Sequence, residues 1–175
     1  MSSQSSFFTT LTGLAYGLIA VLIWCAYMTY AKAGVLVVLQ PIDFVFLRYV
    51  PAGLICLPFL FGKTGIRRPG GVSWKQGIAI TLFAGPPFVL TATGGYLFAP
   101  LSHGAVIQPS TAAISGMLFG WLVLRETVTI HRLLGMLAIL SGILMLTLAK
   151  PSGGLLPDFW IGDALFVFSG LCWTA

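Results

Sequence analysis

The sequence predicts an all-α, polytopic membrane protein. Charged residues make up only 7 % of the chain and hydrophobic ones 58 %, whereas soluble domains carry about 25 % charged residues. The apolar residues fall in continuous runs, each about long enough to cross a hydrocarbon layer of roughly 30 Å at 1.5 Å per residue. They lack the strict alternation of a membrane β-barrel. Lysine and arginine sit between the runs, where they set orientation in a bilayer. The net charge of +5 therefore needs no nucleic acid to explain it, and the partner it implies is the lipid bilayer.

Residues 1–12 are rich in Ser and Thr and hold no basic residue. A cleavable signal would need a positive start, so this segment is expected to be a tail and the first run a retained helix. Span one covers 13–31 and ends at Lys32, with Gly13 and Gly17 one GxxxG step apart. Span two covers 42–61 and contains Arg48, Pro51 and Pro58. Its loop, 62–75, holds Lys63, Arg67, Arg68 and Lys75 among the breakers Gly65, Pro69, Gly70 and Gly71. Span three covers 76–98 and is interrupted by Gly85, Pro86 and Pro87. Two prolines remove two donors and must kink or open a helix, so Pro86 and Pro87 are expected to act as a hinge.

Spans four and five, 104–124 and 131–148, form a hairpin around the charged turn 125–132. Gly116 and Gly120 on the first, and Gly135 and Gly142 on the second, make small-residue ladders. Such ladders let helix backbones approach closely in lipid, so these four glycines are expected to carry helix packing. Residues 149–158 read as a Pro/Gly loop, and a sixth apolar run occupies 159–175.

The loops after spans two and four hold Lys63, Arg67, Arg68, Lys75, Arg125 and Arg132, against Lys32 and Lys150 in the alternate loops. The first set is expected to be cytoplasmic, and the N-terminus with it. Residues 162–175 align without a gap on 13–26, matching Gly, Ala, Leu, Trp and Ala. The sixth run then repeats the first after an odd number of crossings, which inverts it, an arrangement common in secondary transporters. We expect 159–175 to open a second unit that continues beyond this sequence. The alternative is that 175 residues are the whole protein, with two copies pairing as a homodimer.

The chain resembles the EamA-type branch of the drug/metabolite transporter superfamily. The resemblance rests on Gly17 to Trp24 with Lys32 beyond, on Arg48 within Val45-Phe46-Leu47-Arg48-Tyr49, and on Pro109 early in span four. It rests most specifically on Leu124-Arg125-Glu126-Thr127 leading through Arg132 to Gly135 and Gly142. Residues 13–148 then form the first five-helix repeat of a fold that normally has ten helices in two inverted repeats. The resemblance implies a multi-pass cell-membrane protein, in bacteria of the inner membrane, that moves small metabolites. The departure is that most of the second repeat lies outside this sequence.

Candidate site residues follow from depth. Trp24 and Tyr27 lie in the outer half of span one, Arg48 in that of span two, Thr91 and Thr93 in that of span three. Gln108, followed by Pro109, opens span four at a similar level. This layer is the expected substrate site. A charge inside a span costs on the order of 2.5–3.5 kcal/mol on insertion scales. Two readings of Arg48 stand: it holds an anionic group in a wet cavity, or it snorkels outward towards Asp43. Aromatic belts at the interface explain some of the same residues. Glu126 is expected to pair with a base or cap the next helix.

His103 and His131 stand isolated near helix ends, and the three cysteines have no metal-ligand spacing, so neither a metal nor a cofactor is expected. An intramembrane enzyme would need a nucleophile with a base, or an acidic metal site, and neither is visible. The reading is a secondary transporter, a permease or exporter of a small-molecule substrate such as an amino acid. An inactive or structural membrane subunit is the alternative.

Overall fold

A computed structural model describes residues 2–60, 72–148 and 157–174. The expected loop cations Lys63, Arg67, Arg68 and Lys150 lie outside the described residues, as does most of the 149–158 loop. The described residues form helices alone: α1 (Ser2–Val37), α2 (Pro41–Leu60), α3 (Trp74–Ala84), α4 (Pro86–Phe98), α5 (Leu101–Leu122), α6 (Ile130–Leu148) and α7 (Phe159–Thr174). Among the described residues, four stretches are long and apolar enough to cross a membrane: Thr10–Val37, Pro41–Phe59, Trp74–Phe98 and Leu101–Leu122. Within the described residues α6 and α7 are shorter apolar helices.

Helix α1 begins at Ser2, ahead of the expected start at Gly13, and runs past Lys32 to Val37. Its apolar part alone is 28 residues long, or ~42 Å at helical rise, more than a hydrocarbon core needs. The surplus must tilt or project into the polar interface.

The expected break in span three is present. Ser73 starts α3 with a capping box: its hydroxyl accepts from the Gln76 N–H, and the Gln76 side chain accepts from the Ser73 N–H. The helix stops at Gly85, where a Cβ would lie 2.1 Å from the Thr81 carbonyl oxygen, so only glycine fits. Pro86 and Pro87 then occupy the first turn of α4. An N–H there has no intrahelical partner in any helix, so the prolines start a new helix instead of spoiling an old one. Tyr49 of α2 donates its hydroxyl to the Ala84 carbonyl freed at the break, at 3.4 Å.

Helix α7 is the best-packed element. Gly162 sits so close to α4 that a Cβ would come within 2.5 Å of the Ala99 Cβ and 2.7 Å of the Gly95 oxygen. Gly170 approaches α5 in the same way, 2.7 Å from the Gln108 oxygen. Phe166, fully buried, lies over Tyr96 with ring centroids 5.1 Å apart, and Phe88 meets Trp173 at 4.9 Å. The core of the molecule is thus the α4–α5–α7 junction, with Ala31, Ala99 and Ile107 completing it.

This moves the close glycine contacts away from the expected positions. Gly135 and Gly142 have nothing within 4 Å of an added Cβ, Gly116 meets only Thr174 at 3.7 Å, and Gly120 meets Glu126. The α5–α6 hairpin exists, but its glycine ladders do not close it. The turn is instead shaped by Glu126, which donates its backbone N–H to the Gly120 carbonyl and accepts from Arg132 at 2.9 Å. This is the structural role expected of Glu126. Arg125 takes a left-handed backbone, φ 54°, to let the chain fold back.

Successive spans alternate in direction. Lys32, near the end of α1, donates to the carbonyls of Tyr96 and Ala99 at the end of α4. Gly162, near the start of α7, packs on the same Ala99. One end of the bundle therefore gathers the α1–α2 corner, the α4–α5 corner and the start of α7.

Candidate functional site

A cavity of about 640 Å³ opens between α1, α2, α4, α5 and α7. Its walls are mostly apolar, with a small polar set contributed by Arg48, Thr93, Gln108 and the tyrosines Tyr27 and Tyr96. That is the usual make-up of a small-molecule site: a greasy envelope with a few orienting groups.

Of the residues expected from sequence, Trp24, Tyr27, Arg48, Thr93 and Gln108 line this one space. The structure does not bring Thr91 into it. The Thr91 hydroxyl instead donates back along its own helix to the part-buried Pro87 carbonyl at 2.8 Å. Pro109 lies inside α5 beside Gln108 but is not part of the lining. Pro86 and Pro87 set the entry of α4 and so place Phe88, Ala92, Thr93 and Tyr96 on the cavity wall.

Arg48 sits over two rings, its guanidinium carbon 5.3 Å from the Tyr27 centroid and 5.9 Å from that of Phe88. Cation–π contact of this kind holds a guanidinium in an apolar wall while its edge donors stay free to bind. The outward alternative, Asp43, is engaged elsewhere: it accepts from the Gln40 backbone N–H at 2.8 Å. No described carboxylate pairs with Arg48.

Gln108 is 4 % exposed and reaches Ser169 of α7, donating to its hydroxyl at 2.9 Å, while Ser169 donates to the Phe88 carbonyl at 3.3 Å. A buried amide in lipid needs such partners. The chain Gln108–Ser169–Phe88 ties α5, α7 and α4 at the cavity floor. Thr93 satisfies itself on the Val89 carbonyl at 2.7 Å.

Sequence reading missed Met28, Phe44, Phe88, Tyr96 and Trp173 as lining residues. Trp173 had a signal: it aligns with Trp24 in the internal repeat, and both tryptophans face the same cavity. The others are ordinary apolar residues whose inward direction depends on the bundle. Sequence reading also left His103 isolated. In the fold it is 1 % exposed, with Nδ1 2.8 Å from Oδ1 of Asp163. No group of three or more metal-ligating side chains occurs among the described residues.

No curated protein and no solved structure matches the chain. The model of the EamA-like transporter family matches residues 11–148, from α1 through α6. A bundle of membrane-capable helices agrees with that match, and the chain belongs to the EamA-like transporter family.

Proposed function

We propose that the protein is a secondary transporter, a permease or exporter, for small metabolites that carry a carboxylate, amino acids foremost. The observation that carries this is Arg48, a permanent cation set on Tyr27 and Phe88 in the wall of a mostly apolar cavity. A carboxylate answers the guanidinium in a two-point pairing. The aromatic walls offer contact area to an apolar side chain, and Gln108 and Thr93 add polarity at its edge. The cavity volume, about 640 Å³, is within the usual range for small ligands.

On this reading α7 opens a second, inverted unit. Its support is the likeness of 162–175 to 13–26, together with the opposite directions of α1 and α7. Access alternates as the two units rock about the cavity. The protein works in the cell membrane with its N-terminus cytoplasmic.

The test is flux. The full chain is reconstituted in liposomes and assayed with labelled amino acids, L-phenylalanine first, then other carboxylates and matching amines that lack the carboxylate. Carboxylates are expected to cross and compete with one another, and the amines to do neither. Equal movement of the amines would remove Arg48's assigned role, and no movement of any compound would remove the transporter reading for this chain.

A further inference from the structure

Outside the cavity, one ion pair among the described residues joins two helices of the bundle, its histidine buried and its carboxylate partly exposed. His103, in the first turn of α5, meets Asp163, in the second turn of α7, at 2.8 Å. His103 is 1 % exposed and the Asp163 side chain 18 %. The ring of Phe159 stands edge-on to the imidazole at 6.1 Å. An ionisable pair set among apolar helices near one end of the bundle, its carboxylate open to a groove, marks a functional site by default.

The neighbouring titratable groups are few. Lys32 of α1 is taken up by the carbonyls of Tyr96 and Ala99. Tyr96 of α4 is buried beneath Phe166. Asp43 of α2 accepts from the Gln40 backbone, and Asp158 lies in the turn before α7. The α6 residues in the groove beside Asp163 are Leu140 and Ile143, which do not titrate.

The pair's position links it to the cavity. Asp163 follows Gly162, the residue jammed against Ala99 and Gly95. One turn further along α7, Phe166 presses on Tyr96, which lines the cavity. Any shift of α7 against α4 and α5 must change the His103–Asp163 separation and the cavity wall together.

We infer that His103 and Asp163 form the proton-binding site through which transport is coupled to a proton gradient. This rests on the transporter reading above. The pair takes one proton from water at one face and holds it between Nδ1 and Oδ1. It returns the proton to the other face when α7 shifts; only N–H and O–H bonds form and break. A structural clasp between α5 and α7 would have the same geometry, so the test must separate coupling from folding.

The full chain in proteoliposomes is given labelled L-phenylalanine with and without an imposed pH gradient. Wild type is expected to concentrate the label by up to about tenfold per pH unit for one-for-one coupling. It should also exchange label for internal unlabelled phenylalanine with no gradient. His103→Gln and Asp163→Asn are expected to keep the exchange and lose gradient-driven accumulation, while Asp163→Glu retains it. Accumulation that persists in both variants, or wild-type flux indifferent to the gradient, overturns the site. Loss of exchange along with accumulation in both variants, unrestored by Asp163→Glu, marks a structural clasp and overturns it too.

If wild type moves no phenylalanine, the transporter reading fails on its own, and proton binding is still decided by labelled imidazole resonances. His103 and His131 are the only histidines, so His131→Gln assigns the spectrum. A His103 signal that moves with pH, and moves differently in Asp163→Asn, supports the proton site; a signal indifferent to pH, or to Asp163→Asn, overturns it.

Discussion

Arg48 shows how a single residue can be legible in a sequence before anything is known of its surroundings. A charge in an apolar run is costly enough to demand a reason. Its spacing from the ends of span two does not say which reason holds. In the fold the rings of Tyr27 and Phe88 lie under the guanidinium, and no carboxylate among the described residues pairs with it. A charge-assisted hydrogen bond contributes about 1.5–3 kcal/mol, so Arg48→Ala is expected to weaken carboxylate binding by about 10- to 150-fold. Arg48→Lys keeps the charge but gives up the flat fork and ring stacking, and should fall between wild type and alanine. Equilibrium binding of labelled phenylalanine to detergent-solubilised protein reads both; unchanged affinity in Arg48→Ala would detach the residue from the site. His103 is the contrary case. Its partner Asp163 is sixty residues away, and both look unremarkable near helix ends, so no local pattern announces the pair.

The helices themselves were largely legible, because length and hydropathy decide them. The interruption at Gly85-Pro86-Pro87 was legible too, since proline chemistry acts on the chain locally. What could not be read was which face of each helix meets a neighbour. Gly116, Gly120, Gly135 and Gly142 are spaced as packing glycines, yet the close approaches fall at Gly95, Gly104, Gly162 and Gly170, around α7. Small-residue spacing states that approach is permitted, and tertiary order decides where it occurs. The difference is measurable by thermal unfolding in detergent. Gly162→Ala drives a methyl into Ala99 and the Gly95 carbonyl, an overpacking that costs about 1–3 kcal/mol. Gly135→Ala meets open space and replaces the poorer helix former, so it should be neutral or raise stability by up to about 1 kcal/mol. A larger loss at Gly135 than at Gly162 would place the packing seam back in the hairpin.

For the whole molecule, the alternation of span directions joins the charge pattern to the geometry. The α1–α2 corner, the α4–α5 corner and the start of α7 gather at one end, fixed by the Lys32 bonds to Tyr96 and Ala99 and by Gly162 on Ala99. Lys75 and Arg132, in the first turns of α3 and α6, and Arg125, in the α5–α6 turn, lie at the other end. Positive residues stay preferentially on the cytoplasmic side, so one assignment of faces should satisfy every loop at once. Single cysteines placed in a background freed of Cys25, Cys56 and Cys172 test this in intact cells with a membrane-impermeant maleimide. Gln40→Cys and Pro157→Cys are expected to label from outside, whereas Val72→Cys and Thr127→Cys should label only after the membrane is opened. A wholly reversed pattern would turn the molecule over and leave the fold standing. Labelling of Thr127→Cys and Pro157→Cys from the same side would mean that α6 does not cross, and the inverted relation of α7 to α1 would fall with it.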